Sequence, residues 1–209
     1  MMSFIKRVRD KLNSYLRRLI NRANRKKLTN TQPCVISSNC TGAFILHDLG
    51  CRFRSPFVNL YLKPKDFIKY LNNIPYYQNQ PLRFLTQSGK RYPVGQLGDL
   101  TIHFMHYHSE EEARQKWQER TQRMDLEQPF IIMSERDGCS YQDLLEFEQL
   151  PFKHKVVFTH KAYPELASAY HIKGFEDQGM IGDLFEYTGF TGKRYYDQFD
   201  YVAWFNQMR

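Results

Sequence analysis

Cys40 is the residue whose type and setting most suggest chemistry. It lies in Cys34-Val35-Ile36-Ser37-Ser38-Asn39-Cys40-Thr41-Gly42. Cys34 to Ile36 read as a short buried strand that runs into small polar residues. Ala43-Phe44-Ile45-Leu46 with Leu49 then opens a helical pattern. A helix start carries unpaired N–H groups and the positive end of the helix dipole. Such a place holds an anion or lowers the pKa of a thiol. Cys40 is therefore a candidate nucleophile, and Ser38, Asn39, Thr41 and Gly42 are candidates to bind a phosphate or an oxyanion. The alternative is a small buried cysteine beside a cap supplied by Ser38 or Asn39.

A thiol nucleophile needs a base. His47 is seven residues further on, about 10 Å along a helix. That is too far for a hydrogen bond of about 3 Å, so His47 is read as a pocket-lining residue. The base should come from another strand end. In an open α/β sheet, ligands bind beyond the carboxyl ends of the strands. The Leu100 strand (LTIHFMHY) ends at His106-Tyr107-His108, and the Phe130 strand ends at Ser134-Glu135-Arg136-Asp137-Gly138. The Lys155 strand ends at Thr159-His160. The expected constellation has Cys40 as nucleophile or pocket thiol, His106 or His160 as base, and Asp137 to orient the base. His108 and Arg136 join the binding residues.

Two metal readings are also open. Glu135 and Asp137 could hold a divalent ion under a sugar-nucleotide diphosphate, or Asp137-Gly138 could simply be a turn. On a strand His106 and His108 share a face that His103 does not, so no metal ligand is assigned.

These residues need a scaffold that alternates strands and helices. Phe57–Leu62, Leu82–Leu85, Leu100–Tyr107, Phe130–Met133 and Lys155–His160 read as strands. Pro64 with Asp66 starts one helix. Ser109 and Glu112 form a capping box for the next, and a further helix spans 140–149. Gly50 ends the helix after Cys40. Asp197 to Gln207 closes the chain as a helix. The pattern predicts an α/β fold: a three-layer, mainly parallel, Rossmann-like sheet, with the strand around His103 antiparallel or at an edge. Residues 33–209 form one domain. Leu28–Pro33 is a polar linker, and residues 1–28 form a basic amphipathic helical arm.

Charge separates the arm from the rest. Ten Lys/Arg against Asp10 leave residues 1–28 at +9, while the remainder of the chain stands at −1 of the total +8. The folded domain is thus a poor nucleic-acid binder, and no nucleic-acid partner is expected. In the arm Ile5, Val8, Leu12, Leu16, Leu19 and Ala23 recur at steps of three and four, with Tyr15 and Ile20 widening the stripe. A basic amphipathic helix suits an anionic membrane surface; the alternative packs the stripe on its own domain or on a partner. No run of about 18 apolar residues and no signal-peptide core occur, so the expected location is cytoplasmic, peripheral on the inner face of the membrane. Cys34, Cys40, Cys51 and Cys139 form no CxxC pair and should stay reduced.

Several segments together resemble a bacterial family of unknown function. They are ISSNCTG, SPFVNLYL, YPVGQLGD, IHFMHYHS followed by Trp117, ERDGCSYQDL, LPFKHKVVFTH and RYYDQFDYVAWFN. Members of that family are often labelled exopolysaccharide or capsule biosynthesis proteins. The family commonly has a second Gly after the NC motif and Asp at the first position of DRDG, where this chain has Ala43 and Glu135. The resemblance spans roughly residues 33–207 and implies an α/β fold in a setting of surface glycans. The NC motif is also similar to that of a capsule-biosynthesis acyltransferase group in which a cysteine lies near a coenzyme A site. The expected function is a group transferase of surface polysaccharide, acyltransferase-like, with acyl-CoA or a sugar nucleotide as donor. The alternatives are a metal-dependent glycosyltransferase and a non-catalytic adaptor that binds a glycan or nucleotide at the membrane.

Overall fold

The computed structural model describes residues 2–86 and 88–207, with side chains from Lys6 onward. Helix α1 (Met2–Lys27) is followed by β1 (Val35–Ser37), α2 (Thr41–Leu49), α3 (Pro64–Asn72) and α4 (Ile74–Gln78). Then come β2 (Leu82–Phe84), β3 (Val94–Leu97), β4 (Leu100–His103), α5 (Glu110–Thr121), β5 (Phe130–Ser134) and α6 (Tyr141–Glu148). The chain ends with β6 (His154–Thr159), β7 (Ala169–His171), 3-10 turns at Glu176–Gln178 and Tyr195–Gln198, and α7 (Tyr201–Phe205).

Strands β1, β5, β6 and β7 form a parallel sheet in that order. Residues along each strand alternate between two cores, as the pleat requires. Ile36, Ile131, Met133 and Val157 face a core shared with α3, α5 and α6. Val35, Phe130, Ile132, Val156 and Phe158 face a second core, shared with α2, α7 and the C-terminal turns. Both faces are covered, so the strands read as continuous apolar runs.

A second, antiparallel sheet holds β2, β3 and β4. The strand expected at Leu100–Tyr107 belongs to it and stops at His103. A turn follows, in which the Tyr107 amide donates to the Phe104 carbonyl at 3.0 Å. The strand expected at 57–62 reduces to one bridge between Tyr61 and His103, because Asn59 takes a left-handed conformation (φ 61°) that breaks the extension. The closing helix is split into a 3-10 turn and the short α7. The Ser109 cap is present: its hydroxyl accepts from the Glu112 amide at 3.1 Å, while the Glu112 carboxylate accepts from the His108 amide instead of closing the box. The full box forms at Ser140 and Asp143 on α6.

Helix α1 docks through a polar face. Asn13 is buried, accepts from the Gly192 amide at 2.9 Å and donates to the Gly189 carbonyl at 2.7 Å. The helix runs so close there that a Cβ on Gly192 would stand 2.6 Å from that of Leu16. Arg17 is buried too. It donates to Asp48 Oδ2 at 2.9 and 2.6 Å, to the Tyr196 hydroxyl at 3.1 Å, and to Asp197. Asn21 donates to Asp48 Oδ1 at 2.9 Å, and Asn24 to the Tyr201 hydroxyl at 2.9 Å. Of the expected apolar stripe, Ile5 has its side chain outside the described residues, Leu16 and Ile20 are half-buried, and Val8, Leu12, Tyr15, Leu19 and Ala23 are exposed. No helix among the described residues is long and apolar enough to cross a membrane.

Burial by itself would raise Asp48, but the Tyr196 hydrogen bond and the Arg17 charge outweigh it and hold the carboxyl below its usual range. A lowered folded-state pKa contributes stability above pH about 4 that is lost as the pH falls further. Arg17→Ala leaves two buried carboxylates without their shared cation. It should cost about 3–5 kcal/mol in urea unfolding at pH 7. The gap between variant and parent should narrow as the pH falls below about 4.

Candidate functional site

A cleft of about 360 Å³ opens beyond the carboxyl ends of β1 and β5. Asn39, Cys40 and Thr41 line it from the β1–α2 junction, and Arg136 and Asp137 from the turn after β5. Tyr61, Tyr92, Met105 and His106 come from the small-sheet side, and Asp183, Leu184 and Phe185 from the C-terminal segment. A larger concavity of about 490 Å³ lies between α1 and the C-terminal turns, but none of the expected catalytic or binding residues line it. The smaller cleft, lined by Asn39, Cys40, Thr41, His106, Arg136 and Asp137, is therefore the candidate site.

Cys40, His106 and Asp137 thus reach one cleft with Asn39, Thr41 and Arg136. His160 does not. Its Nδ1 lies 2.6 Å from Glu135 Oε2, which also accepts from the His160 amide at 2.9 Å, and the Tyr163 hydroxyl donates to Glu135 Oε1 at 2.6 Å. The Glu135 carboxylate is therefore spent inward, and the expected Glu135–Asp137 pair does not converge. Asp137 itself occupies a turn in a left-handed conformation (φ 57°) followed by Gly138 (φ 85°), and it faces the cleft. Among the described residues no three His, Cys, Asp or Glu side chains gather to hold a metal ion. His108 is exposed on the approach to α5 and is not part of the lining.

Ser38 and Gly42 act in packing. The Ser38 hydroxyl accepts from the Ser134 amide at 3.3 Å, and its carbonyl from the Leu62 amide at 3.0 Å, tying β1 to its neighbours. A Cβ on Gly42 would stand 2.8 Å from that of Ser37, so α2 can sit this close to β1 only with glycine there. The helix start expected to hold an anion already uses its first two donors. The Thr41 amide donates to Asn39 Oδ1 at 3.0 Å, and the Gly42 amide to Ser37 Oγ at 3.3 Å.

Cys40 is the N-cap residue of α2, and its thiol points at the Leu60 carbonyl 3.9 Å away. Burial pushes the thiol up to about 11, only partly opposed by the Asn59 and Leu60 backbone and the Arg136 charge. The expected thiolate gives way to a neutral thiol. Arg136 stands between carboxylates, 2.7 Å from Asp183 Oδ1 and 3.4 Å from Asp137 Oδ2. One cation against two anions makes this wall a poor phosphate site and a good one for hydroxyls. Tyr61 stacks flat on His103 with ring centres 4.4 Å apart, and its hydroxyl lies 3.4 Å from that of Tyr92.

A second pocket of about 290 Å³ also reaches Cys40. Its walls are Ala43, Phe44, Phe53, Val58 and Asn59, with His47 and Arg120. Phe44 of this pocket stacks on Phe185 of the first, ring centres 4.5 Å apart. Cys40 thus stands where two pockets meet. Tyr61, Tyr92, Met105 and Asp183–Phe185 were missed at the level of sequence. For Asp183–Phe185 no local pattern marks them, because they arrive from a segment without regular structure.

A neutral thiol has a clear signature. Iodoacetamide labelling of Cys40 in the native protein should be slow at pH 7 and rise about tenfold per pH unit to pH 9, without a plateau. Cys139, held up to about 12 by burial and then Asp143, should label more slowly. A Cys40 rate that levels off near pH 8 would restore the activated thiolate.

The family model described as "Domain of unknown function (DUF1919)" matches residues 11–206, which takes in most of α1 as well as both sheets. An "Uncharacterized protein" of Haemophilus influenzae is 58% identical over 205 residues, 98% of this chain and 99% of that protein. The motifs, both cores and most of α1 thus fall within the matched residues, and the chain belongs to the DUF1919 family, a domain of unknown function.

Proposed function

We propose that this protein is a group transferase of surface-polysaccharide assembly that moves an acyl group onto a sugar hydroxyl. The observation that carries the reading is the meeting of two pockets at Cys40, only the first of which is lined by carboxylates, those of Asp137 and Asp183. The first pocket suits a sugar: aromatic rings of Tyr61, Tyr92 and Phe185 for its apolar face, and Asp137, Asp183 and Asn39 for its hydroxyls. The second pocket offers Phe44, Phe53 and Val58 to a short acyl chain, with Asn59, His47 and Arg120 beside them. Part of the reading is a Rossmann-like, three-layer arrangement, in which the carboxyl ends of parallel strands are the usual ligand position.

In the reaction the acceptor hydroxyl oxygen bonds to the acyl carbon of a thioester donor as the carbon–sulfur bond breaks. His106, exposed at the cleft, takes the hydroxyl proton and returns it to the leaving thiolate. Cys40 lines the junction and, as a neutral thiol, carries no acyl group. The metal-dependent glycosyltransferase is less well supported, because Glu135 is turned away from Asp137. A second reading, sugar binding without transfer, is favoured by Arg136, which is engaged by Asp183 and Asp137 and so is not free for the phosphates of a donor.

Thermal shift with acyl-CoA species and with sugars tests both halves. Each ligand class should raise the Tm of the wild-type protein. Asp137→Asn and Tyr61→Ala should lose the sugar shift and keep the acyl-CoA shift, while Val58→Trp should do the reverse. His106→Ala should keep both shifts and lose at least about 100-fold in turnover. Sugar shifts with no turnover of any donor would leave the binding protein. Shifts unchanged in all three pocket variants would remove the site.

A further inference from the structure

Helix α1 presents its polar face to the protein and its apolar face to solvent, the reverse of an ordinary surface helix. Val8, Leu12, Tyr15 and Leu19 are 48, 41, 54 and 49% exposed. Their spacing of four, three and four residues sets them in one line along the helix. At roughly 100° per residue the buried or half-buried Asn13, Arg17, Asn21 and Asn24 lie on the opposite side. The latch through Arg17 and Asp48 therefore fixes which face looks outward. Exposed Lys11, Arg18 and Arg22 run along one flank of the apolar line, and Lys26 stands in the line itself two turns beyond Leu19.

From this geometry we infer that α1 is a docking helix for an anionic lipid surface, lying in the plane of the headgroups with Val8, Leu12, Tyr15 and Leu19 inserted. Apolar residues in line with flanking cations are what such a surface recognises. The same spacing would also fit a helix–helix seam. Charge decides between them. A second copy would set two strongly basic helices side by side, whereas anionic lipid neutralises them. The inference does not depend on the chemistry of the cleft.

The test is sedimentation of the full chain with vesicles of phosphatidylcholine alone or mixed with phosphatidylglycerol. Binding should need phosphatidylglycerol and fall at least about tenfold between about 0.05 and 0.5 M NaCl. Leu12→Glu with Leu19→Glu should lose binding at least tenfold with an unchanged Tm, since both side chains are exposed. Charge reversal at Lys11, Arg18 and Arg22 gives an independent variant with the same expectation. Equal binding by parent and both variants would overturn the inference. So would a dimer in light scattering that the Leu12→Glu/Leu19→Glu pair dissociates, which would assign the stripe to a second copy.

Discussion

The pairing of Arg17 with Asp48 and Asp197 orders more of this molecule than any other single contact. Asp48 lies near the end of α2, and Asp197 in a 3-10 turn almost at the other end of the chain. One guanidinium therefore ties the first helix, the helix that begins at Cys40, and the C-terminal segment together. Removing three charged groups from water is costly, and only the completeness of the bonding makes it tolerable. Asp48 accepts from Arg17, Asn21 and Tyr196, and its backbone carbonyl accepts from Arg25 at 2.9 Å. Arg194, 4.0 Å from Asp48, lies over the Phe44 ring at 5.5 Å. The network thus reaches the wall of the second pocket.

At Cys40 two effects of opposite sign compete, and their sizes decide the outcome. The helix dipole favours a thiolate by about 0.3–1 kcal/mol near a surface. Burying an unpaired charge costs several kcal/mol. The first donors of α2 are already taken by Asn39 and Ser37, which weakens the favourable side further. Cys40 stays a thiol. The chemistry available at the cleft then belongs to His106, Asp137 and the wall of Arg136 and Asp183. The same logic separates Asp137 from Glu135: two carboxylates two residues apart end in different environments, one facing the cleft, the other enclosed by His160 and Tyr163.

The sequence by itself determined the local elements. The strand–polar–helix transition at 34–49, Gly50 at the end of α2, the caps at Ser109 and Ser140, the buried runs of β5 and β6, and the helical period of α1 all follow from neighbours within a few residues. The Gly98-Asp99 hairpin between β3 and β4 had a local signal as well, a glycine (φ 62°) in a two-residue turn, and it would have separated His106 from the parallel sheet. Tertiary structure decided which face of each element was used. The period of α1 makes it amphipathic but cannot say which side packs. Asn13 and Arg17 found partners about 30 to 180 residues away, and the apolar side was left outside. The inward turn of Glu135 toward His160 and the arrival of Asp183–Phe185 at the cleft are of the same kind. Periodicity and capping are short-range, whereas burial and pairing of polar groups depend on residues that only the folded chain brings together.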